Sequence, residues 1–307
     1  MLNYKKTVEL TRTFPTLGTF ATVIITADES ETDIHLLMQQ ADSILQSMDT
    51  QLGRFSEAGQ LYQLNLTNNI EGDTELGNLI LLSDTLEELT NGYFDPSLGT
   101  LSQVWGFPEL QTVPDSSDIS EALQFTGWDE SVVITDSIIT TEENTFMDFG
   151  AIAKGYAVDR TFEFLVENGA IECLVEVGGE IRCGSLTGRV WHIGVRHPRN
   201  ETLAGVFAVT DGAVATSGDY ECFFIKDNIR YSHLLDPTTG YPSRNAASAT
   251  VVAENCAIAD AIATAAAVAG PEQAELFSTD LYLGMVIITA DNNNSEVFEF
   301  GEVPWFE

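Results

Sequence analysis

The sequence predicts an α+β fold, on three observations. Helical periodicity is concentrated in the first half of the chain. Short apolar runs bounded by Gly, Pro, Asn and Asp dominate the second half, and no internal repeat, linker or low-complexity block separates the two. The expected body is a single domain over residues 1–307, with two intimate lobes and mixed or antiparallel sheets against packed helices.

The elements follow in order. Residues 14–27 read as the first strand, with Phe20, Ala21, Thr22, Val23, Ile24 and Ile25 as its buried run. From Ile34 the apolar positions Leu37, Met38, Ala41, Ile44, Leu45, Met48 and Leu52 recur at steps of three and four, which is one face of a helix. A second helix runs from about Thr74 through Leu76, Leu79, Ile80, Leu86 and Leu89 to a stop at Gly92. Residues 114–126 hold a short helix begun by Ser116, Ser117 or Asp118, and a long helix runs from Gly150 or Ala151 to Gly169. Strands are expected near 171–177, 189–196, 205–210, 220–225, 230–235 and 247–253. Asn255 opens an alanine-rich helix ending at Gly270, Pro271 starts a short one, and strands near 284–290 and 295–300 close the chain.

The 307 residues carry 13 Lys+Arg against 47 Asp+Glu, a formal charge of −34. Such a surface repels phosphate backbones and anionic lipid, so nucleic-acid and polybasic membrane roles are excluded. With 44% hydrophobic residues the chain is nonetheless globular in composition. Cys173, Cys183, Cys222 and Cys256 lie singly in apolar runs and read as free buried thiols; His35, His192, His197 and His233 are equally scattered, so no zinc site is expected. No segment reaches the roughly 20 apolar residues of a membrane-spanning helix.

Five loops gather chemistry-bearing residues. Gly92-Tyr93-Phe94-Asp95-Pro96, continuing to Trp105-Gly106-Phe107, sets aromatics beside a carboxylate, which suits a flat-ring ligand as well as an ordinary turn. Asp148-Phe149-Gly150-Ala151-Ile152-Ala153-Lys154-Gly155-Tyr156 places small residues and a rare lysine (the others are Lys5, Lys6 and Lys226) where a helix begins, a place suited to phosphate. Val177-Gly178-Gly179-Glu180 reads equally as a tight turn or a ligand contact. Thr216-Ser217-Gly218-Asp219-Tyr220 and Tyr231–Pro242 pack hydroxyls, carboxylates and His233 into two turns, with His233 a candidate general base and Asp148, Asp219 and Asp236 as rivals. Asp260 and Thr264, one helical turn apart among alanines, suit an oxygen-ligated cation or a buried structural hydrogen bond.

In this order and spacing, together with Thr16-Leu17-Gly18-Thr19 and the stretch from Phe55 to Leu64-Asn65, these loops resemble the FAD:protein FMN transferase family, the ApbE-type flavin transferases. The resemblance covers about residues 8–303. It implies a T-fold-like flavin transferase fold, Mg²⁺ at a pyrophosphate, and transfer of FMN from FAD to a Thr or Ser hydroxyl in a target flavoprotein, releasing AMP. It implies metal ligation by the Ala151 carbonyl and the Asp260 and Thr264 side chains. FAD contacts fall on Leu17, Phe55, Tyr93, Phe94, Asp95, Asp148, Lys154, Thr216, Ser217, Leu234 and Leu235, with His233 and Asp148 as catalytic candidates. The partners implied are FAD and an acceptor flavoprotein carrying a Thr/Ser flavinylation motif. Gly59, Thr100, Glu180 and Ser232 depart from the family pattern. The competing functions are an FAD pyrophosphatase, which would share the same site, and a non-catalytic FAD-binding or storage protein, which intact Asp260, Thr264 and Lys154 count against. The family commonly works outside the cytoplasmic membrane, often as a lipoprotein, whereas neither a continuous apolar stretch nor a lipid-accepting cysteine follows Lys5 and Lys6; the sequence does not choose a location.

Overall fold

The computed structural model describes residues 6–28, 33–135, 137–277, 282–290 and 294–306. The stretch through Lys5, read above for an export signal, lies outside them.

The expected strand over 14–27 proves to be the parts of two. Thr7–Thr16 and Thr19–Asp28 form an antiparallel hairpin, with Thr16 opposite Thr19. Leu17 and Gly18 make its two-residue turn, both in left-handed conformation at φ 48° and 71°, as the twist of such a hairpin requires. Alternation explains the rest: Ala21, Val23 and Ile25 are buried while Phe20 is exposed.

The hairpin is one edge of an eight-stranded antiparallel sheet. Its order continues through Ala170–Val177, Glu180–Ser185, Gly212–Gly218, Ser248–Ala253, Gly284–Ala290 and Ser295–Gly301. Both faces of the central strands are covered. Ala213, Ala215 and Val251 face helices, whereas Val214, Val252, Val286 and Ile288 face a second hairpin of Trp191–Arg196 and Leu203–Val209. Ser248–Ala253 is therefore buried at every position, and its sequence shows no alternation.

Three helices lie on the first face. Ile34–Leu52 has the predicted bounds, with Asp33 capping it through bonds from the N–H groups of His35 and Leu36. Ala153–Glu167 crosses Cys256–Ala269, whose alanines permit close approach to the sheet and to its neighbour. Asn255 caps that helix by accepting from the Ile258 N–H, as its position predicts. Glu75–Leu89, Ser116–Ala122 and Pro271–Ala274 also fall where expected.

Other elements differ from the sequence reading. Glu180–Ser185 and Gly212–Gly218 are strands, and Gln60–Thr67 and Gly99–Trp105 are helices, none of them anticipated. A small sheet of Asn69–Glu71, Val132–Ile134 and Ile138–Thr141 was likewise not foreseen. The strand expected over 230–235 ends at Ser232 (Ile229–Ser232), so His233–Leu235 lies beyond it in a loop closed by a bridge between Leu235 and Pro242. The helix expected from Gly150 or Ala151 starts at Ala153, which leaves those two residues free in the turn before it. Cys173, Cys183 and Cys256 are buried free thiols as expected, while Cys222 is only half-buried. Among the described residues no helix is long and apolar enough to cross a membrane.

Candidate active site

One cavity of about 700 Å³ lies where the ends of these elements converge. Of the residues singled out for FAD, metal or catalysis, the rival bases Asp219 and Asp236 do not line it, whereas Leu17, Phe55, Tyr93, Phe94, Asp95, Asp148, Ala151, Lys154, Thr216, Ser217, His233, Leu234, Leu235, Asp260 and Thr264 do. Their separation in sequence, from residue 17 to 264, shows that the fold, and not local chain geometry, gathers them.

The floor is built by two helices. The turn before Ala153–Glu167 has no side-chain cap; its Gly150 N–H donates to Asp148, and its Ile152 and Ala153 N–H groups donate to the Phe149 carbonyl. Within the helix's first turn the Gly155 N–H donates to Asp260 Oδ2 at 3.0 Å. Lys154 pairs with Glu180 at the start of the neighbouring strand. Asp260 and Glu180 are each only 2% exposed. Burial alone would lower the Lys154 pKa, but the Asp260 and Glu180 carboxylates outweigh it and hold the ammonium charged. Burial raises the Asp260 pKa, against the opposing pull of Lys154 and the Gly155 bond. Thr264, one turn after Asp260, shares a 2.7 Å hydrogen bond with Ser217 Oγ on Gly212–Gly218.

Among the described residues no group of three or more His, Cys, Asp or Glu side chains is placed to hold a metal. The candidate set is of another kind. The Asp260 carboxylate, the Thr264 hydroxyl and the Ala151 carbonyl are all oxygen donors on one cavity, and a second carboxylate, Glu180, has a buried oxygen with no partner. Hard oxygen donors with uncompensated negative charge fit Mg²⁺ and do not fit zinc.

The walls are aromatic and apolar. Leu17 is held left-handed, a conformation costing about 1–3 kcal/mol outside Gly and concentrated at binding sites. Phe55 is 82% exposed at the rim, with the Arg54 guanidinium 4.8 Å from its ring centre. Tyr93 packs near Phe277, with ring centres 6.1 Å apart. Phe94, Leu234 and Leu235 are buried and shape the wall from behind.

The polar candidates separate by their partners. Asp148 Oδ2 accepts from Arg54 Nη1 at 2.6 Å, and its Oδ1 accepts from the Gly150 N–H at 3.0 Å. Asp95 accepts from the Ser97 N–H at 2.7 Å, and burial raises its pKa. Asp219 is held by both terminal nitrogens of Arg199 at 2.6 Å. Asp236 accepts from the Thr238 N–H at 2.8 Å and does not line the cavity. His233 differs, for its Nδ1 lies 3.2 Å from the Cys222 carbonyl. A carbonyl only accepts, so Nδ1 carries the proton and Nε2 keeps a free lone pair. Desolvation lowers the His233 pKa, with Lys154 acting the same way, which favours the neutral ring.

The profile of the ApbE family matches residues 17–285, which include every candidate residue above. The chain belongs to the ApbE family. Among its ApbE relatives, a FAD:protein FMN transferase from Vibrio cholerae is 30% identical over 84% of this chain and 81% of its own length. One from Treponema pallidum is 28% identical over 86% and 80%. Solved ApbE structures share the fold. The apo flavinyl transferase ApbE of Pseudomonas stutzeri aligns with a TM-score of 0.86 at 27% identity, over 97% of this chain and 96% of its own. The ApbE protein of Thermotoga maritima aligns at 0.82 and 31%, over 91% and 94%.

Two cavity residues of this ApbE chain take their meaning from contacts that the sequence did not show. Arg54, which clamps Asp148 and covers Phe55, carried no motif; its partner is 94 residues away. Glu180 registered as a departure from the family pattern and as the end of a loop read equally as a turn or a ligand contact, with nothing to show that it is buried beside Lys154.

Proposed function

We propose that this protein uses the cavity to transfer FMN from FAD to a Thr or Ser hydroxyl of an acceptor flavoprotein, with Mg²⁺ held by Asp260, Thr264 and the Ala151 carbonyl. The carrying observation is the convergence of oxygen donors, a charged lysine and a neutral histidine on one aromatic-rimmed cavity. The whole chain then acts as one flavin-transferase domain.

Each group has a task in that reaction. Phe55, Tyr93 and Leu17 bind the ring systems by apolar contact, and Arg54 stiffens that rim by holding Asp148 and stacking on Phe55. Lys154, whose ammonium is held charged on the cavity, faces phosphate oxygens. When bound, the divalent cation neutralises charge on the non-bridging oxygens. His233 Nε2 takes the proton of the acceptor hydroxyl as its oxygen bonds to the FMN phosphorus; the bond from that phosphorus to the bridging oxygen breaks, and AMP departs with it. Asp148 and Asp219 are engaged by arginines and Asp236 lies off the cavity, which leaves the base role to His233.

The test is incubation with FAD, Mg²⁺ and a candidate acceptor flavoprotein, followed by in-gel flavin fluorescence and chromatography of free nucleotides. Covalent fluorescence on the acceptor with AMP release is the expected result. Free FMN without labelled acceptor would replace the transferase reading with a pyrophosphatase, and unchanged FAD would point to storage.

A further inference from the structure

Glu180 is the cavity residue that the reaction above leaves without a task. It opens the strand Glu180–Ser185, paired directly with Val177 across a turn whose Gly178 and Gly179 are left-handed at φ 64° and 110°. That turn sends a carboxylate inward, where an apolar residue would be the ordinary choice. One oxygen accepts from Lys154, while Oε2 is buried without a hydrogen-bond partner. A buried carboxylate oxygen left so is costly and calls for a positively charged or protic partner.

Asp260 stands beside it. Its Oδ2 is fixed by the Gly155 N–H, and Glu180 is fixed by the side chain of the preceding residue, Lys154. Consecutive residues thus bring two carboxylates, each 2% exposed, to the same cavity wall. Burial, and for Glu180 repulsion from Asp260, makes ionising both carboxylates costly beside a single ammonium, on a chain whose overall charge is −34. A wall of carboxyl groups on so acidic a chain offers a pyrophosphate little attraction until a cation is in place.

We propose that Oε2 of Glu180 joins Asp260 as a second carboxylate ligand to the divalent cation, so that the chain takes up the cation before FAD. This rests on the reading of Asp260 and Thr264 as metal-holding residues. Two carboxylates give a hard cation an affinity that one carboxylate with neutral oxygens does not. With the cation in place the wall carries a net positive charge facing the diphosphate, and Lys154 stays anchored on the other Glu180 oxygen.

The test uses Mn²⁺ as a paramagnetic probe, titrated into the full chain without FAD and followed by the loss of free-ion signal in electron paramagnetic resonance. The expected result is one Mn²⁺ bound by the unaltered chain, weakened at least tenfold by Glu180→Gln and also by Asp260→Asn. Glu180→Asp, which keeps the carboxylate, should weaken binding less than Glu180→Gln. Thermal melts check that each variant is folded. If Asp260→Asn loses Mn²⁺ while Glu180→Gln binds it like the unaltered chain, Glu180 is not a ligand, although the Asp260 site stands. Equal weakening by Glu180→Asp and Glu180→Gln would also overturn the proposal. If the unaltered chain binds no Mn²⁺ until FAD is added, uptake of the cation before FAD is wrong.

Discussion

The backbone N–H of Gly155 and the carboxylate of Asp260 meet at 3.0 Å, tying the first turn of Ala153–Glu167 to the helix Cys256–Ala269. The contact needs a residue without a side chain. A Cβ at position 155 would lie 2.4 Å from the Cys256 carbonyl oxygen and 2.9 Å from the Ala257 Cα, and backbone atoms cannot rotate away. Gly155→Ala should therefore push the helices apart, costing about 1–3 kcal/mol of stability and weakening FAD binding. Urea unfolding and FAD titration check both; unchanged values in both would contradict this packing.

Asp159 anchors the same helix from its start. Its carboxylate accepts from the Cys256 and Ala257 N–H groups at 2.8 Å each and from Arg182 at 2.8 Å. Asp159→Ala would strand two buried amides and a half-buried guanidinium, so about 3–5 kcal/mol of stability should be lost. Equilibrium denaturation measures it, and a loss well under 1 kcal/mol would show that the helix start is held otherwise.

Glu87 gives the fold a pH dependence. Burial, followed by repulsion from Asp129, Asp95, Asp84 and Glu130, pushes its pKa from 4.5 up to about 7. The folded chain then keeps a proton that the unfolded chain releases, so Glu87 makes stability fall as pH rises from about 4.5 to about 7 and flattens above that. Glu87→Gln, which cannot ionise, should raise the melting temperature relative to the unaltered chain at pH 7.5 and make little difference near pH 4.5. An equal shift at both pH values would rule out titration as the cause.

As the proposed base, His233 would set the acid limb of activity. The base must be neutral, and the protein lowers the His233 pKa. The rate of flavin transfer should therefore hold down to pH values below about 6.5, the ordinary histidine value, and fall as pH drops through the lowered pKa. His233→Ala should slow transfer by about 10²–10⁴-fold and abolish that limb, with FAD affinity little altered. Retention of the limb in His233→Ala would move the base role elsewhere.

How much of this was legible in the sequence depended on whether a signal was local. Ile34–Leu52 and Cys256–Ala269 were read correctly because each carries its own periodicity or composition and its own cap, Asp33 or Asn255. Gly212–Gly218 was missed because Gly-Ala-Val-Ala-Thr-Ser-Gly has small residues on both faces, suited to a strand packed on each side but weak in β propensity. The single strand expected over 14–27 hid a hairpin because Leu17 occupies a left-handed turn position where Asn or Gly usually signals the bend. The cavity residues were found through motifs in a fixed order, which require no knowledge of contacts. Arg54 was missed, and the pairing of Glu180 with Lys154 was not foreseen, because both rest on partners that only folding brings near.

The charge of −34 makes attraction for FAD a local matter of the cavity floor. The direct measurement is the dissociation constant of FAD, by fluorescence quenching at fixed ionic strength, with Mg²⁺ present and again with EDTA. Binding through a cation on Asp260, Thr264 and Ala151 predicts at least tenfold weaker binding in EDTA, and an Asp260→Ala variant that no longer responds to Mg²⁺. An FAD affinity unchanged by chelation would contradict the site.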